Sequence, residues 1–371
     1  MESLYYCLLL FVIVFTSTFF LIPKIRHTAL KFNLADMPSV RGSHLKATPS
    51  FGGVAFYVSF AIALFIIQFF DDNQISLTLL ISISVLFFTG VLDDLLYYSA
   101  KVKFLGQLLG VAVLMFQPDF RILTLHGFMG IYEISVFASI VGSMFFLLGL
   151  INAFNLLDGV DSLSATTGII IASFYSIMCY HLGCFYYLYL AVTTIAMLPA
   201  FLWFNFSITK KIFAGDIGRL SIGLVLGLLT LKLMSSGSSI GSSALNFDQN
   251  QLPLLLLAVL FVPILDTCIA MLIRAFKRES MFKPDRNHIH HIIIDFGLSH
   301  RRASFFIGLV NFSVGLLMFF VITNFKIVQS TVFLFGLFAV NIALLFLMNK
   351  NRAALRVKVK IKKSMSKIFF Y

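Results

Sequence analysis

Long apolar runs recur along this chain, and they limit what it can fold into more than any other feature. Each run covers about 14 to 24 residues, and a hydrocarbon core ~30 Å thick takes ~20 helical residues to cross. Such runs are too long for the strands of an outer-membrane barrel, which also alternate polar and apolar positions. The chain therefore reads as an all-α, polytopic transmembrane helical bundle. Composition agrees, with 59% hydrophobic and 12% charged residues, where a soluble domain carries about 25% charge. The first run, from Leu4 to Ile22, has no basic segment before it and no small-x-small cleavage signal after it, so a retained helix is expected there. Cys7, Cys179, Cys184 and Cys268 lie in or beside apolar spans without a CxxC pair, which suits packing rather than zinc or a disulfide framework.

Apolar runs set against polar breaks predict about eleven spans. They fall near residues 3–22, 51–70, 75–92, 104–117, 134–153, 160–180, 184–204, 217–234, 251–273, 303–323 and 327–348. With the N-terminus outside and the C-terminus cytoplasmic, loops 23–50, 93–103, 154–161, 205–218 and 274–302 and a basic tail at 349–371 face inward. Nearly all basic residues fall in these segments. Arg121, Lys232 and Lys326 are exceptions, while Asp71, Asp72, Asp119, Glu133 and Asp248 mark the outer side, so the positive-inside rule sets the orientation. The net charge of +12 is then accounted for by its placement at a membrane face, and no nucleic-acid partner is expected. Residues 1–348 read as one membrane domain; the tail, with its RVKVKIKK run, suits attraction to anionic lipid. The outer loop 235–250, rich in Ser and Gly, reads as a connector.

Asp93, Asp94, Asp158, Asp161 and Asp216 each sit close to the end of an apolar stretch. Carboxylates at a span centre cost about 2.5 to 3.5 kcal/mol and less near the interface, so they usually pair, line a wet cavity or hold an ion. The span parity brings all five to the cytoplasmic face, together with Asn155 and the histidine-rich run near His288. An odd number of spans between Asp94 and Asn155 would scatter them.

Four stretches carry chemistry. In VLDDLLYYSAKVKF, Asp93 and Asp94 end the third span, and Lys101 and Lys103 open the fourth. These are either charges snorkelling from a helix end or adjacent carboxylates whose repulsion a cation or lysine relieves. In INAFNLLDGVDSLS, Asn152, Asn155, Asp158 and Asp161 recur every three residues and share one face if helical. An all-oxygen face suits magnesium, whereas capping of the helix near Asp161 would explain one or two of the four. In FNFSITKKIFAGDIGRLSIG, Asn205 leads through Lys210 and Lys211 to Gly215, Asp216 and Gly218 at a helix start. A carboxylate is favourable there on dipole grounds, and it could share a metal with Asn155. In FKPDRNHIHH, the spacing of His288, His290 and His291 allows zinc, while Arg286 with Lys283 and Lys277 suggests a clamp for a nucleotide diphosphate. The earlier loop ADMPSVRGSHLKATPSFGG adds Asp36, Arg41, His44 and Lys46 as a phosphate-binding or loop-closing element.

Taken in order, DMPSVRGSH, PSFGG, LDD, NAFNLLDGVD, FAGD and PDRNHIHH resemble the motifs of the polyprenyl-phosphate N-acetylhexosamine-1-phosphate transferases of glycosyltransferase family 4, over residues 36–302. The resemblance implies that residues 1–348 form the catalytic domain of a bacterial inner-membrane enzyme. It would join HexNAc 1-phosphate from a UDP-sugar to a polyprenyl (undecaprenyl) phosphate, releasing UMP and using Mg²⁺, with Mn²⁺ as a substitute. The PDRNHIHH form is similar to the branch that uses UDP-N-acetylglucosamine or related donors. Such enzymes initiate cell-envelope glycans, in lipopolysaccharide and O-antigen or in wall polymers, and a homodimer is compatible with this reading. Residue by residue, the match makes Asp216 the principal magnesium ligand with Asn155 second, and sets Asp93 and Asp94, as catalytic residues, by the lipid phosphate. Lys101, Asn152, Asn205, Asp158 and Asp161 would help bind substrate. Arg286, His288, His290 and His291, with Arg41 and His44, would hold the diphosphate or sugar. The family usually continues DGxDG, whereas this chain has Ser162 after Asp161.

The implied chemistry is attack by the isoprenoid phosphate on the β-phosphorus of the donor, with Asp93 taking a proton or orienting the lipid phosphate. A double displacement through an aspartyl-phosphate stays open at this point. The opposing class is a multispan transporter or lipid flippase, whose coupling groups belong near the bilayer midplane rather than at one face.

Overall fold

The structure, a computed structural model, describes residues 2–32, 34–36, 48–70, 75–96, 99–157, 162–237, 240, 245–278 and 288–368, without the side chains of 35, 36 and 352–368. Among these, every long apolar run is helical: α1 (Glu2–Lys31), α2 (Gly53–Phe70), α3 (Ile75–Leu96), α4 (Ala100–Leu114), α5 (Val136–Leu156), α6 (Leu163–His181), α7 (Phe185–Asn205) and α8 (Gly215–Ser235). They are followed by α9 (Leu252–Val259), α10 (Phe261–Phe276), α11 (Ile289–Asp295), α12 (His300–Asn324) and α13 (Ile327–Ile368). A ladder of two-residue strands, β1 (Ala35–Asp36) and β2 (Thr48–Pro49), pairs antiparallel between α1 and α2.

The bundle is built around α8. A helix that is apolar on all sides must be enclosed, and nearly every residue of α8 from Gly215 to Leu233 is buried, with α2, α3, α5 and α6 packed about it. Small residues let backbones approach closely, as membrane interfaces require where no hydrophobic force drives helices together. A Cβ on Gly53 would lie 2.1 Å from the Gly218 nitrogen, so α2 meets α8 only because both positions are glycine. The outer surface carries exposed phenylalanines such as Phe69, Phe137 and Phe145, as a lipid-facing surface should.

Nine of the described helices are long and apolar enough to cross a membrane, and a bent pair from Gln249 to Phe276 makes ten. The predicted span 251–273 is this pair, α9 and α10, which meet at 67°. Pro263 has no N–H to return to Val259, and the backbone groups freed there are taken by one side chain of α12. Asn311 Nδ2 donates to Val259 O at 3.0 Å, and Val262 N–H donates to Asn311 Oδ1 at 2.9 Å. The predicted span 104–117 is α4, whose 15 residues extend about 22 Å.

Although short, α4 passes from one end of the bundle to the other. It begins with Lys103 beside Asp93 of α3, and the chain beyond it reaches Asp119, which pairs with Lys232 at 3.0 Å near the far end of α8. Lys232 also lies 5.0 Å over the Tyr187 ring, and the Tyr187 hydroxyl donates to Asp119 at 3.0 Å. A basic residue that departed from the charge pattern is thus neutralised where it sits. The C-terminal helix does not stop at the expected tail boundary; α13 runs 42 residues to Ile368.

Candidate active site

At the other end of α8, the ends of four helices bring charge together. Asp93 comes from the last turns of α3, Lys103 from the first turn of α4, Asn155 from the last turn of α5, and Asp216 and Arg219 from the first turns of α8. Lys103 Nζ donates to Asp93 Oδ2 at 3.1 Å and also contacts Asp216 Oδ2. With its amide oriented to satisfy both neighbours, Asn155 accepts from Lys103 Nζ at 3.2 Å and donates to Asp216 Oδ1 at 3.2 Å. One ammonium nitrogen is therefore ringed by oxygens from three helices.

Arg219 holds the opposite side of Asp216. Its Nη2 lies 2.9 Å from Asp216 Oδ1, while Nε donates to Gly215 O at 3.0 Å and Nη1 to Asn155 O at 3.3 Å. The guanidinium thus ties the start of α8 to the carbonyl end of α5, where a positive charge suits the helix dipole. Asp216 itself is buried at a helix N-terminus, the favourable end for a carboxylate.

Asp94 lies close against Gly215. That glycine has φ +68, and a Cβ there would fall 1.8 Å from Ser50 O and 2.8 Å from Asp94 Oδ2, so only glycine lets α8 begin here. The segment before α2 docks alongside: Phe213 N–H donates to Pro49 O at 2.8 Å, Gly52 N–H to Phe213 O at 2.8 Å and Gly53 N–H to Ala214 O at 2.7 Å. Its β ladder sets Ala35 opposite Pro49 and Asp36 opposite Thr48.

The remaining expected residues that the structure describes are held by other partners. Asn152 donates to Gln107 Oε1 at 2.9 Å and to Leu148 O at 2.7 Å. Buried Asn205 closes the loop between α7 and α8 by donating to Ile212 O at 2.8 Å. His288 and His290 are buried at the start of α11, with rings parallel at 5.7 Å, and the ring of His291 lies 4.1 Å from that of His290. Lys101 is exposed; the residue of α4 that enters the ion cluster is Lys103. Arg41, His44, Asp158, Asp161 and Arg286 lie outside the described residues. Among the described residues no group of three or more His, Cys, Asp or Glu converges on a metal position.

Arg219 and Asp266 escaped the sequence reading, although each left a signal. Arg219 stands three residues after Asp216, the spacing at which helical side chains pair. Asp266 is a sixth aspartate inside an apolar run, and its Oδ2 lies 2.7 Å from His288 Nδ1.

The family model described as glycosyl transferase family 4 matches residues 76–234, which cover α3 to α8 but for one residue at each end and include Asp93, Lys103, Asn155, Asp216 and Arg219. The decaprenyl-phosphate N-acetylglucosaminephosphotransferase of Mycobacterium tuberculosis (strain ATCC 25618 / H37Rv) is 30% identical over 82% of this chain and 80% of its own length. The chain belongs to this family. As a member of family 4, it is also 29% identical, over 91% of its length and 89% of the relative's, to the "Probable undecaprenyl-phosphate N-acetylglucosaminyl 1-phosphate transferase" of Bacillus subtilis (strain 168). The undecaprenyl-phosphate alpha-N-acetylglucosaminyl 1-phosphate transferase of Yersinia pestis is 27% identical over 80% of this chain and 78% of its own. These relatives are transferases, and with the apolar helices they make this chain a multi-pass membrane protein of the polyprenyl-phosphate HexNAc-1-phosphate transferase family; a carrier finds no support.

Ser162 stands where the resemblance leads one to expect glycine, and the backbone there suits one. Ser162 has φ 72 and ψ 2 at the start of α6, a left-handed conformation that glycine adopts without a Cβ penalty.

Proposed function

We propose that this chain transfers N-acetylhexosamine 1-phosphate, in the first instance N-acetylglucosamine 1-phosphate, from its UDP derivative to a polyprenyl phosphate. The products are polyprenyl-diphosphate-HexNAc and UMP. The observation that carries this reading is the ring of oxygens from Asp93, Asp216 and Asn155 around the Lys103 ammonium. An ammonium held in this way marks a point where protein oxygens converge on positive charge.

That donor set fits magnesium. Mg²⁺ is usually bound by one or two carboxylates, with waters and substrate phosphates completing its octahedron, and Mn²⁺ accepts the same hard oxygens. Asp216 would hold the ion with Asn155 as second ligand, and when bound it supplies charge neutralisation to the donor diphosphate and the departing UMP.

The chain's own residues do the rest. Arg219 fixes Asp216 by Oδ1, so the carboxylate keeps one orientation. Lys103, between Asp93 and Asp216, pairs with the acceptor phosphate and offsets its charge as it approaches two carboxylates. Asp93 orients that phosphate and takes its last proton where one remains, with Asp94 set behind it against Gly215. A phosphate monoester has a second pKa of about 6 and is already largely dianionic at neutral pH, so positioning outweighs base strength. One acceptor oxygen forms a bond to the β-phosphorus of the donor, the bond from that phosphorus to the bridging oxygen breaks, and UMP leaves with the electron pair. His288, His290 and His291, with Arg286, Arg41 and His44, hold the diphosphate and sugar, and Asp158 and Asp161 shape the nucleotide side.

The reaction belongs at the cytoplasmic face of a bacterial inner membrane, as the first step of a cell-envelope glycan. Basic residues at the site end support this side. Arg26 donates to Thr209 O at 3.0 Å and Lys211 O at 3.2 Å, and Arg301 stands 5.4 Å over the Phe206 ring. The test is UMP release by purified protein given polyprenyl phosphate, Mg²⁺ and a panel of UDP-HexNAc donors. Release that needs both substrates supports the proposal, and no release with any donor refutes it.

A further inference from the structure

Asp266 lies within α10, a helix that packs against α5, yet no part of the proposed reaction uses it. It is 1% exposed. A carboxylate this deeply buried is costly unless its oxygens are occupied. Both are: Oδ2 lies 2.7 Å from His288 Nδ1, and Oδ1 accepts the Ile289 N–H at 2.6 Å. One carboxylate thus grips the ring and the backbone of consecutive residues where α11 begins.

A helix cap alone would need one oxygen on one N–H. The second oxygen, on the imidazole, sets which ring nitrogen carries the proton. An ionised carboxylate only accepts, and opposite one the proton of His288 belongs on Nδ1, with Nε2 the ring nitrogen turned away from Asp266. The His290 ring, parallel to that of His288 at an interplanar angle of 4°, restrains the same imidazole from its face. A half-turn of the ring would keep the stack and lose the carboxylate bond, so Asp266 is the contact that selects the orientation.

We propose that Asp266 is a positioning residue for the transfer, holding His288 with Nδ1–H on the carboxylate so that Nε2 faces the diphosphate of the sugar donor. When Nε2–H of the imidazolium donates to a phosphate oxygen, Asp266 balances the positive charge on the ring. This rests on the placement of His288 at the donor diphosphate under Proposed function. Asp266 itself touches neither substrate.

Two measurements test it. In kinetics, Asp266→Asn lowers kcat/KM for the UDP-sugar by about 10- to 100-fold, the range lost when an orienting partner behind a histidine is removed from a metal centre. The KM for polyprenyl phosphate is unchanged, and in a His288→Gln background the same substitution costs less than about twofold, because coupled residues do not add. Equal losses in both backgrounds, or equal changes in both KM values, overturn the proposal in favour of a structural cap. In nitrogen-15 NMR of the full-length wild-type protein labelled at histidine, with His288→Gln as the assignment control, Nδ1 of His288 is protonated. An unprotonated Nδ1 overturns the proposal whether or not the variants fold. This second readout needs no turnover, so a protein that releases no UMP from any donor refutes the proposed reaction and leaves the Asp266 geometry separately tested.

Discussion

Lys103 Nζ stands 3.1 Å from Asp93 Oδ2, so the first turn of α4 carries the counter-charge for the last turns of α3. The same nitrogen reaches Asp216, and an ammonium thereby sits among oxygens suited to a divalent cation. Replacing Lys103 by Met leaves Asp93 and Asp216 facing each other without it. Lys103→Met is expected to lower the thermal midpoint in the absence of divalent ions and to show a larger Mg²⁺-dependent rise than wild type. Thermal denaturation in detergent with and without Mg²⁺ reads both; equal Mg²⁺ responses would remove the oxygens around Lys103 as an ion site.

Gly215→Ala should be severe. The position has φ +68, and the new Cβ would fall 1.8 Å from Ser50 O. Backbone strain of this kind costs of order 1 to 3 kcal/mol before the clash is counted. Turnover and thermal midpoint should fall together, because the glycine sets the start of α8, which carries Asp216, and lies against Asp94. A fully active, equally stable variant would show that α8 can start another way.

Asn311→Leu should destabilise the bend between α9 and α10. It leaves Val262 N–H and Val259 C=O without the partners they have at 2.9 and 3.0 Å. A buried unsatisfied group costs about 1 to 3 kcal/mol, so the loss is several-fold larger than that of an exposed substitution. Comparing Asn311→Leu with an exposed control on α12 such as Leu316→Ala checks this; similar midpoints would mean that the bend needs no side-chain support.

Ser162→Gly is expected to stabilise. Relieving a left-handed non-glycine residue is worth about 1 kcal/mol, less the greater flexibility of glycine in the unfolded chain. A lowered midpoint would show that the Ser162 side chain contributes more than its strained backbone costs.

The bundle was readable because apolar run length is a local property. The eleven expected stretches all became helical, and the convergence of Asp93, Asn155 and Asp216 followed from counting crossings. What stayed hidden depended on distant partners. The break at Leu260 is stabilised by Asn311, some fifty residues later, and a proline in an apolar run does not reveal whether its helix bends by 67° or continues. The motif match points to Lys101, yet the sequence carries a signal for Lys103: Gln107, Gly110, Val111 and Leu114 form the buried stripe of α4, and Lys103, four residues before Gln107, is in phase with it. Nothing in the sequence joins Asp266 to His288, 22 residues later, and only the fold brings them together.

The most direct test of the account is Asp216→Asn, assayed for UMP release with polyprenyl phosphate, Mg²⁺ and the donor on which wild type turns over. The substitution keeps shape and hydrogen-bonding capacity while removing the charge opposite Lys103 and Arg219. The expected result is a folded protein with a wild-type elution profile and turnover lowered at least about a hundredfold, as loss of a main electrostatic group costs. Turnover near wild type would contradict the central role of Asp216.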